Sequence, residues 1–517
     1  MMAKLRKIYT ISSDYTDQQA RLIAGVRYGA EVSGGYVFAE DVPVRVISQV
    51  VDGHFAGVST GTSSQRVYNT TYASHILGRV NRIFAEDWDK YKDKGYSMDA
   101  LVGKGGVEEA FEEYLHGTNG EKLVTTDKNG KVTGELYAKE PKPGNTVALT
   151  IDLDLQKATE DSLAGMIQSM TKSDGVSRGG AAAVVGVGTG EVLALASYPT
   201  YDLSKFNEMY ETWTKDPSLP MFNRATDGVY APGSTFKLCT SVAALESGIV
   251  TPSTTIVDRG IYTYYEFPQP RCWIYSSYGG THGAVNVSQA ITVSCNYFFY
   301  EVGRLTGIQR LDDYAMQFGL GKHTGIEIGD SAGVLASPEY AEEIGETWTD
   351  GQTITAAIGQ SYNLFTPLQM ANYVATLVGG DHYEAHLLKS AKSFDNSSVV
   401  YAYNKAPLNH VEMADSTINA VKTGARGLAT GSLSYIFKDC VVPVGCKTGT
   451  AETITALANG CFVAFAPYDD PQIAVCVVVE QGDGGAYLAP VARDIINAYF
   501  SNASTADTIL GENTLLQ

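Results

Sequence analysis

Two pairs of strand-length apolar runs, far apart in the chain, constrain its fold more than any other feature. Ala181 to Val187 and Glu191 to Ser197 are joined by Gly188-Thr189-Gly190, while Gly460 to Ala466 and Gln472 to Glu480 flank the turn signal Pro467-Tyr468-Asp469-Asp470-Pro471. A helix capped by Asp152 and running through Leu155 to Met170 precedes the first pair, and an amphipathic helix from Val491 to Phe500 follows the second. First helix, central strands and last helix predict an α+β fold: an antiparallel sheet sandwiched by terminal helices, with a helical insertion between the strand pairs.

Residues 1–145 read differently, as a mixed and polar region. Tyr15 to Tyr28 reads as a helix, Val42 to Val51 alternates like a strand, and Ser97 to Leu115 reads as an acidic helix broken by Gly117-Thr118-Asn119-Gly120. Asp127-Lys128-Asn129-Gly130 is a hairpin turn signal, and Pro141-Lys142-Pro143-Gly144 marks a domain boundary. The expected organisation is a pedestal over 1–145, a second domain over 146–503 that starts with a strand at Val147 to Ile151, and a polar tail over 504–517.

With 44% hydrophobic residues, 32 Tyr and 17 Phe, the chain needs packed cores and is not disordered. Its net charge of −19, without a basic stretch, argues against nucleic-acid binding. No apolar run approaches the roughly 18 residues of a membrane helix, and Met1 to Thr10 has no apolar core to make a signal peptide. Seven scattered cysteines make no disulfide framework; Cys461 and Cys476, either side of the Pro467–Pro471 turn, read as buried free thiols lying nearly opposite each other.

The sharpest chemical signal is Tyr230-Ala231-Pro232-Gly233-Ser234-Thr235-Phe236-Lys237. Pro and Gly halt the chain, and the apolar run to Leu245 then reads as a buried helix with Ser234 at its N-terminus and Lys237 one turn along the same face. A serine hydroxyl needs an adjacent base, and lysine serves only if its pKa falls from about 10.4 towards neutrality. Burial, the helix terminus and a second cation would lower it. Ser294-Cys295-Asn296 follows, within a helix-like stretch from Val287 to Val302, and then Lys447-Thr448-Gly449-Thr450 at the end of the run Val441 to Cys446. The letters recur in Lys422-Thr423-Gly424, but there Met413, Ile418 and Val421 are at helical spacing and Gly424 reads as a helix end; the strand context selects Lys447.

Around this trio the chain resembles the class B penicillin-binding proteins, the monofunctional peptidoglycan transpeptidases, and most of all their elongation-type branch. The resemblance runs from about Phe55 to Phe500. It includes Arg66-Val67-Tyr68 with Ala73-Ser74-His75-Ile76-Leu77-Gly78, and Gly103-Lys104-Gly105-Gly106-Val107-Glu108 ahead of Glu113-Tyr114-Leu115-His116-Gly117. Phe222-Asn223-Arg224-Ala225, Phe318-Gly319-Leu320-Gly321, Thr324-Gly325-Ile326 and Thr366-Pro367-Leu368-Gln369 complete it.

The resemblance implies the penicillin-binding transpeptidase fold and a D,D-transpeptidase that cross-links stem pentapeptides through a Ser234 acyl-enzyme and is trapped by β-lactams. It implies Lys237 as base, Ser294 as proton relay, Asn296 as a hydrogen-bonding partner of substrate and Lys237, and Lys447 as the second cation. It implies Thr448 and Thr450 as carboxylate ligands on either side of Gly449, and the N–H groups of Ser234 and Thr450 as oxyanion hole. Partners implied are a membrane glycosyltransferase and cell-wall scaffold proteins, at the outer face of the bacterial cytoplasmic membrane, with the family's anchor expected outside this chain. Catalysis would require no cofactor. The alternatives are a β-lactamase-like hydrolase, a D,D-carboxypeptidase, and a non-catalytic penicillin-binding sensor or scaffold. Intact motifs argue against a dead site, and the long N-terminal region against a carboxypeptidase. Asp258, Cys272, His282 and Cys295 are potential metal ligands bracketing the stretch into the Ser294 motif. Some elongation-type relatives look to carry a metal here, so a structural zinc is expected, with Cys272 in place of a carboxylate.

Overall fold

The computed structural model describes residues 2–33, 36–53, 55, 57–58, 60–61, 66–97, 100–128, 132–452 and 457–509. They divide into two compact units: Met1–Val67, Gly78–Thr146 and Lys392–Ser398 form one, and Tyr68–Leu77, Val147–Ala391 and Val399–Gln517 the other.

The first unit has small cores, one of Ile11, Ala20 and Ala24 and one of Ile83, Tyr91 and Val102. Asp17–Ser33 is helical, as its apolar spacing predicts. Two expectations fail. Val44–Gly53 is a helix and not a strand, because Val44, Ile47 and Val51 also satisfy the helical period and Pro43 opens the first turn, its carbonyl accepting from Val46 N at 2.8 Å. The expected acidic helix over Ser97 to Leu115 is instead a strand, Leu101–Lys104, followed by the short helices Gly106–Ala110 and Glu112–Leu115. The left-handed Gly105, φ +72°, turns the chain between them. Strands Glu121–Thr126 and Val132–Lys139 pair antiparallel; part of the expected turn, Asn129-Gly130, lies outside the described residues.

The second unit is built on a five-stranded antiparallel sheet in the spatial order Gly445–Ala451, Asn459–Ala466, Ile473–Val479, Gly180–Gly186, Val192–Tyr198. The two sequence-distant strand pairs thus meet at its centre, where Val475 faces Val184 and Val477 faces Ala182. These residues pack with Leu163, Ile167, Ile495 and Ile496 of the terminal helices Leu153–Asp174 and Ala489–Ile509. Alternate strand residues point to the other face, which helix Pro367–Gly379 crosses, buried from Pro367 to Leu377. The last helix runs on to Ile509, past the expected Phe500, and the rest of the tail lies outside the described residues. All seven cysteines are free; Cys461 stands opposite Val478 and Cys476 opposite Val463, so the two thiols are diagonal neighbours rather than partners across the ladder.

The insertion between the strand pairs is helical. Lys237–Glu246 is buried from Lys237 to Leu245 and packs against Asn296–Thr306, Ile308–Gln317 and Asp415–Thr430. Its polar side chains are satisfied locally: Thr240 Oγ1 donates to Ala357 O and Ser241 Oγ to Lys237 O, each at 2.7 Å.

Candidate active site

Ser234 sits in a tight turn, Gly233–Phe236, that runs directly into the buried helix, and Lys237 is that helix's first residue. Nothing apolar about Lys237 explains its burial. It is carried inside by the helix around it, and its ammonium is met there by Asn296 Oδ1 at 2.6 Å, Ser294 O at 3.0 Å and Ser294 Oγ at 3.3 Å. Burial lowers its pKa to about 8. The Ser234 hydroxyl makes no hydrogen bond among the described residues.

Ser294 departs from the expected continuous helix. The helix stops at Thr292, and a new one runs Asn296–Thr306. Cys295 N bonds Ala290 O and Ser294 N bonds Ile291 O, a Schellman closure that puts Ser294 in the left-handed region at φ +53°. That position normally takes glycine, and a serine there costs about 1–2 kcal/mol. The break presents both Ser294 Oγ and its carbonyl to Lys237.

Lys447 arrives from the edge strand Gly445–Ala451, fully buried, and its Nζ donates to Ser294 Oγ at 2.9 Å and Thr448 O at 3.1 Å. One hydroxyl therefore lies between two buried lysines. Burial first, and Lys237 second, push the Lys447 pKa well down. Of the three causes expected to lower Lys237, burial is the one that acts on it here. Thr448 is half-buried and Thr450 exposed on this strand. A Cβ on Gly449 would stand 2.4 Å from Pro232 O, so only glycine lets the turn that carries Ser234 lie against the strand.

The structure thus brings Ser234, Lys237, Ser294, Asn296, Lys447, Thr448, Gly449 and Thr450 to one place, and leaves Lys422 out. Lys422 lies inside the helix Asp415–Thr430, its Nζ 3.3 Å from Asp469 O. Gly424 does not end that helix, which continues to Thr430. It is glycine because a Cβ there would stand 2.6 Å from Ile291 Cβ and 2.8 Å from Ser288 O of the neighbouring helix. Gln360, outside the sequence-derived set, also reaches this site: its Nε2 donates to Thr450 O at 3.2 Å. Its only sequence signal is Gly359, which punctuates the run before it.

Asp258, Cys272, His282 and Cys295 also converge, with ligand atoms all within 4.8 Å of one another. Asp258 ends a strand and faces Gly283 across the ladder, which carries the adjacent His282 to it. Asp258 Oδ2 accepts from His282 N at 3.0 Å and lies 2.8 Å from His282 Nδ1. Cys272 Sγ lies 3.5 Å from His282 Nδ1 and 3.9 Å from Cys295 Sγ. Cys295 caps the helix behind Ser294, its Sγ accepting from Phe298 N at 3.5 Å.

Comparison with known proteins shows the family of the chain. The family model for the penicillin binding protein transpeptidase domain matches residues 180–497, and that for the penicillin-binding protein dimerisation domain residues 1–149. The chain is 31% identical over 477 residues to the peptidoglycan D,D-transpeptidase MrdA of Escherichia coli strain K12, covering 86% of this chain and 72% of that protein. It superposes on a protein solved in a study of polymerization and crosslinking by a peptidoglycan synthase complex with a TM-score of 0.72 and 31% identity, over 87% of this chain and 77% of the other. Helicobacter pylori PBP2, solved in complex with MreC, shares the fold over 97% of this chain and 92% of its own, with a TM-score of 0.76 and 22% identity. Motifs, fold and relatives agree: the chain belongs to the class B penicillin-binding proteins, on the elongation-type branch of the peptidoglycan D,D-transpeptidases.

Proposed function

We propose that this protein cross-links peptidoglycan by acyl transfer through Ser234. The observation that carries the assignment of roles is the bridge Lys447–Ser294–Lys237, one helical turn from Ser234, whose hydroxyl has no partner among the described residues. Ser234 Oγ attacks the penultimate D-alanine carbonyl of a stem pentapeptide and passes its proton to neutral Lys237. Asn296 and the Ser294 carbonyl occupy the two N–H bonds of that amine and leave its lone pair for the proton. The tetrahedral oxyanion is held by the N–H groups of Ser234 and Thr450, a device worth about 10²–10³ in rate per donor. The C–N bond breaks as Ser294 hands its proton to the departing D-alanine amine and takes in its place the one that Lys237 received, so that Lys237 is neutral again. The amine of a neighbouring strand then attacks the Ser234 ester; the peptide bond forms and Ser234 recovers its proton. Lys447, Thr448 and Thr450 receive the substrate's terminal carboxylate. None of these steps uses a cofactor.

A class B protein carries no polymerase of its own, so its partner is a membrane glycosyltransferase at the outer face of the cytoplasmic membrane, together with cell-wall scaffold proteins. Among the described residues no helix is long and apolar enough to cross a membrane.

The Asp258, Cys272, His282 and Cys295 cluster suits a structural zinc. Zn–S bonds of about 2.3 Å at a tetrahedral angle put two thiolates about 3.8 Å apart, against the 3.9 Å found here. His282 presents Nδ1 to the other three ligands, 2.8 Å from Asp258 Oδ2 and 3.5 Å from Cys272 Sγ. Four protein ligands leave no open position, so the ion would hold Cys295, and with it the backbone of Ser294 and Asn296, rather than activate water. Protein purified without chelator should carry about one equivalent of zinc and lose thermal stability in EDTA; well under one equivalent with unchanged stability refutes the site.

The central test is labelling by fluorescent penicillin. Ser234→Ala should abolish it while leaving the thermal unfolding transition in place, with the adduct mapped to Ser234 by mass spectrometry. An adduct on another residue overturns the assignment. Product analysis on lipid-linked pentapeptide separates cross-linking from trimming to tetrapeptide and from a sensor that never turns over.

A further inference from the structure

Two chain segments meet at the outer edge of the strand Gly445–Ala451. The nucleophile turn lies against it, where a Cβ on Gly233 would stand 2.7 Å from Thr450 O. The turn after helix Asp350–Ala356 lies against the nucleophile turn: Gly233 N donates to Gly359 O at 2.9 Å, and a Cβ on Gly359 would stand 2.1 Å from Gly233 O. Gln360, the next residue, closes the circuit by donating from Nε2 to Thr450 O at 3.2 Å. A carbonyl oxygen only accepts, so the carboxamide must present its NH₂ here.

This contact also says which way the strand faces. In an antiparallel ladder the N–H and C=O of one residue point to the same side, and residues two apart share that side. Thr450 O meets Gln360 and Thr448 O meets Lys447 Nζ, so both threonines direct their main-chain groups away from Asn459–Ala466. Thr450 N–H and C=O thus stand together on the edge that pairs with no strand among the described residues, beside the Ser234 turn. A peptide substrate adds to such an edge as an extra strand, through main-chain hydrogen bonds.

We propose that Gln360 is a positioning residue for the substrate strand, holding the Thr450 carbonyl so that its second lone pair takes the amide N–H of the incoming peptide while Thr450 N–H faces the carbonyl under attack. The inference rests on the transpeptidase reading above. Gln360 itself touches no reacting atom. It fixes the distance between the nucleophile turn and the strand, both of which it reaches through the 359–360 turn.

Two β-lactams separate this role from general support of the fold. Benzylpenicillin carries an acylamino N–H beside its reactive ring, where the peptide's N–H would lie; imipenem carries a hydroxyethyl group there. Gln360→Ala should slow acylation by benzylpenicillin about tenfold, the worth of one neutral hydrogen bond, and acylation by imipenem less than about threefold. Gln360→Glu keeps the length but replaces the donor by a carboxylate, and should be at least as selective; Gln360→Asn, one methylene short, should behave as the alanine variant does. Thermal midpoints are measured alongside. Equal losses with both ligands, no loss with either, or failure of both the alanine and glutamate variants to fold would overturn the inference while the transpeptidase reading stands. If the unsubstituted protein is not acylated at Ser234, both fall.

Discussion

The chain contains Lys-Thr-Gly twice, and the two copies share letters but not the element that displays them. At Lys447 the triplet lies on the edge of a sheet, where successive side chains alternate: Lys447 points inward to Ser294 Oγ, Thr448 is half-buried, and Gly449 admits the nucleophile turn. At Lys422 it lies within a helix, where successive residues turn by about 100°. Lys422 faces outward near the Tyr468 ring, and Gly424 faces inward against Ile291. The glycines show the contrast best. Both exist because a neighbour comes too close for a Cβ, but one neighbour is the backbone that carries the nucleophile and the other is a supporting helix. A short motif carries chemistry only through the element that displays it.

The sharpest way to break the comparison is to remove each lysine. Lys447→Ala should lower the acylation rate constant by about 10²–10⁴, the usual worth of a positioned proton-transfer group, because Ser294 Oγ loses its donor and the substrate its cation. Lys422→Ala should leave that constant unchanged, since the half-buried ammonium lies beside Asp469 O and the Tyr468 ring, away from Ser234 and Ser294. Equal losses, measured by stopped-flow with fluorescent penicillin, would mean that element context does not decide the role.

Next in size is the pH dependence. Burial lowers the Lys237 pKa from 10.5 to about 8. A base must be neutral, so acylation should fall about tenfold per pH unit below that value and stand roughly a hundredfold lower at pH 6 than on the alkaline plateau. Lys422→Ala should reproduce this profile unchanged. The stability linkage has the opposite sense to that of a lysine gaining a salt bridge. Between about pH 8 and about 10.5 the unfolded chain holds a proton that the folded one lacks, so stability rises with pH through that window and the cost of burying the charge is in full force below it. A flat rate profile from pH 6 to 9 would remove Lys237 from the role of base.

Much of the site is legible without coordinates because it depends on local periodicity. Ser234 and Lys237 are one helical turn apart, and the apolar run into Lys447 has strand character. What escapes sequence reading depends on contacts made by distant segments. Ser294 reads as helical because a serine at a left-handed position carries none of the glycine signature, and only its place between Lys237 and Lys447 explains why that cost is tolerated. Gly424 reads as a helix end, since a glycine that makes room for Ile291 looks in sequence like a glycine that stops a helix. Val44–Gly53 satisfies both periods, and the proline before it decides for the helix. Gln360 is invisible because its partner, Thr450, is 90 residues away. The sheet is legible for the converse reason: Val475 and Val184 belong to runs so uniformly apolar that only the centre of a sheet accommodates them.

The smallest effect separates the two glycines. Gly449→Ala would put a methyl 2.4 Å from Pro232 O, a backbone atom on the nucleophile turn that cannot swing aside. The loss should appear mainly as slower acylation. Gly424→Ala meets Ile291 and Ser288 O at 2.6 and 2.8 Å, so helices Val287–Thr292 and Asp415–Thr430 must part slightly. Overpacking of this kind costs about 1–3 kcal/mol, and alanine's better helix propensity returns about 1 kcal/mol of it. A net loss near 1–2 kcal/mol should lower the thermal midpoint by a few degrees. It should not abolish acylation, although the effect is close to the site: Thr292 Oγ1 donates to Gly424 O at 3.0 Å, two residues before Ser294. A small decrease in acylation rate is therefore expected, well below that of Gly449→Ala, and melting curves and acylation rates on both variants check it. If Gly424→Ala slowed acylation as much as Gly449→Ala, the helix behind Ser294 would have to be counted among the parts that set the nucleophile's geometry, and the two triplets would differ in degree rather than in kind.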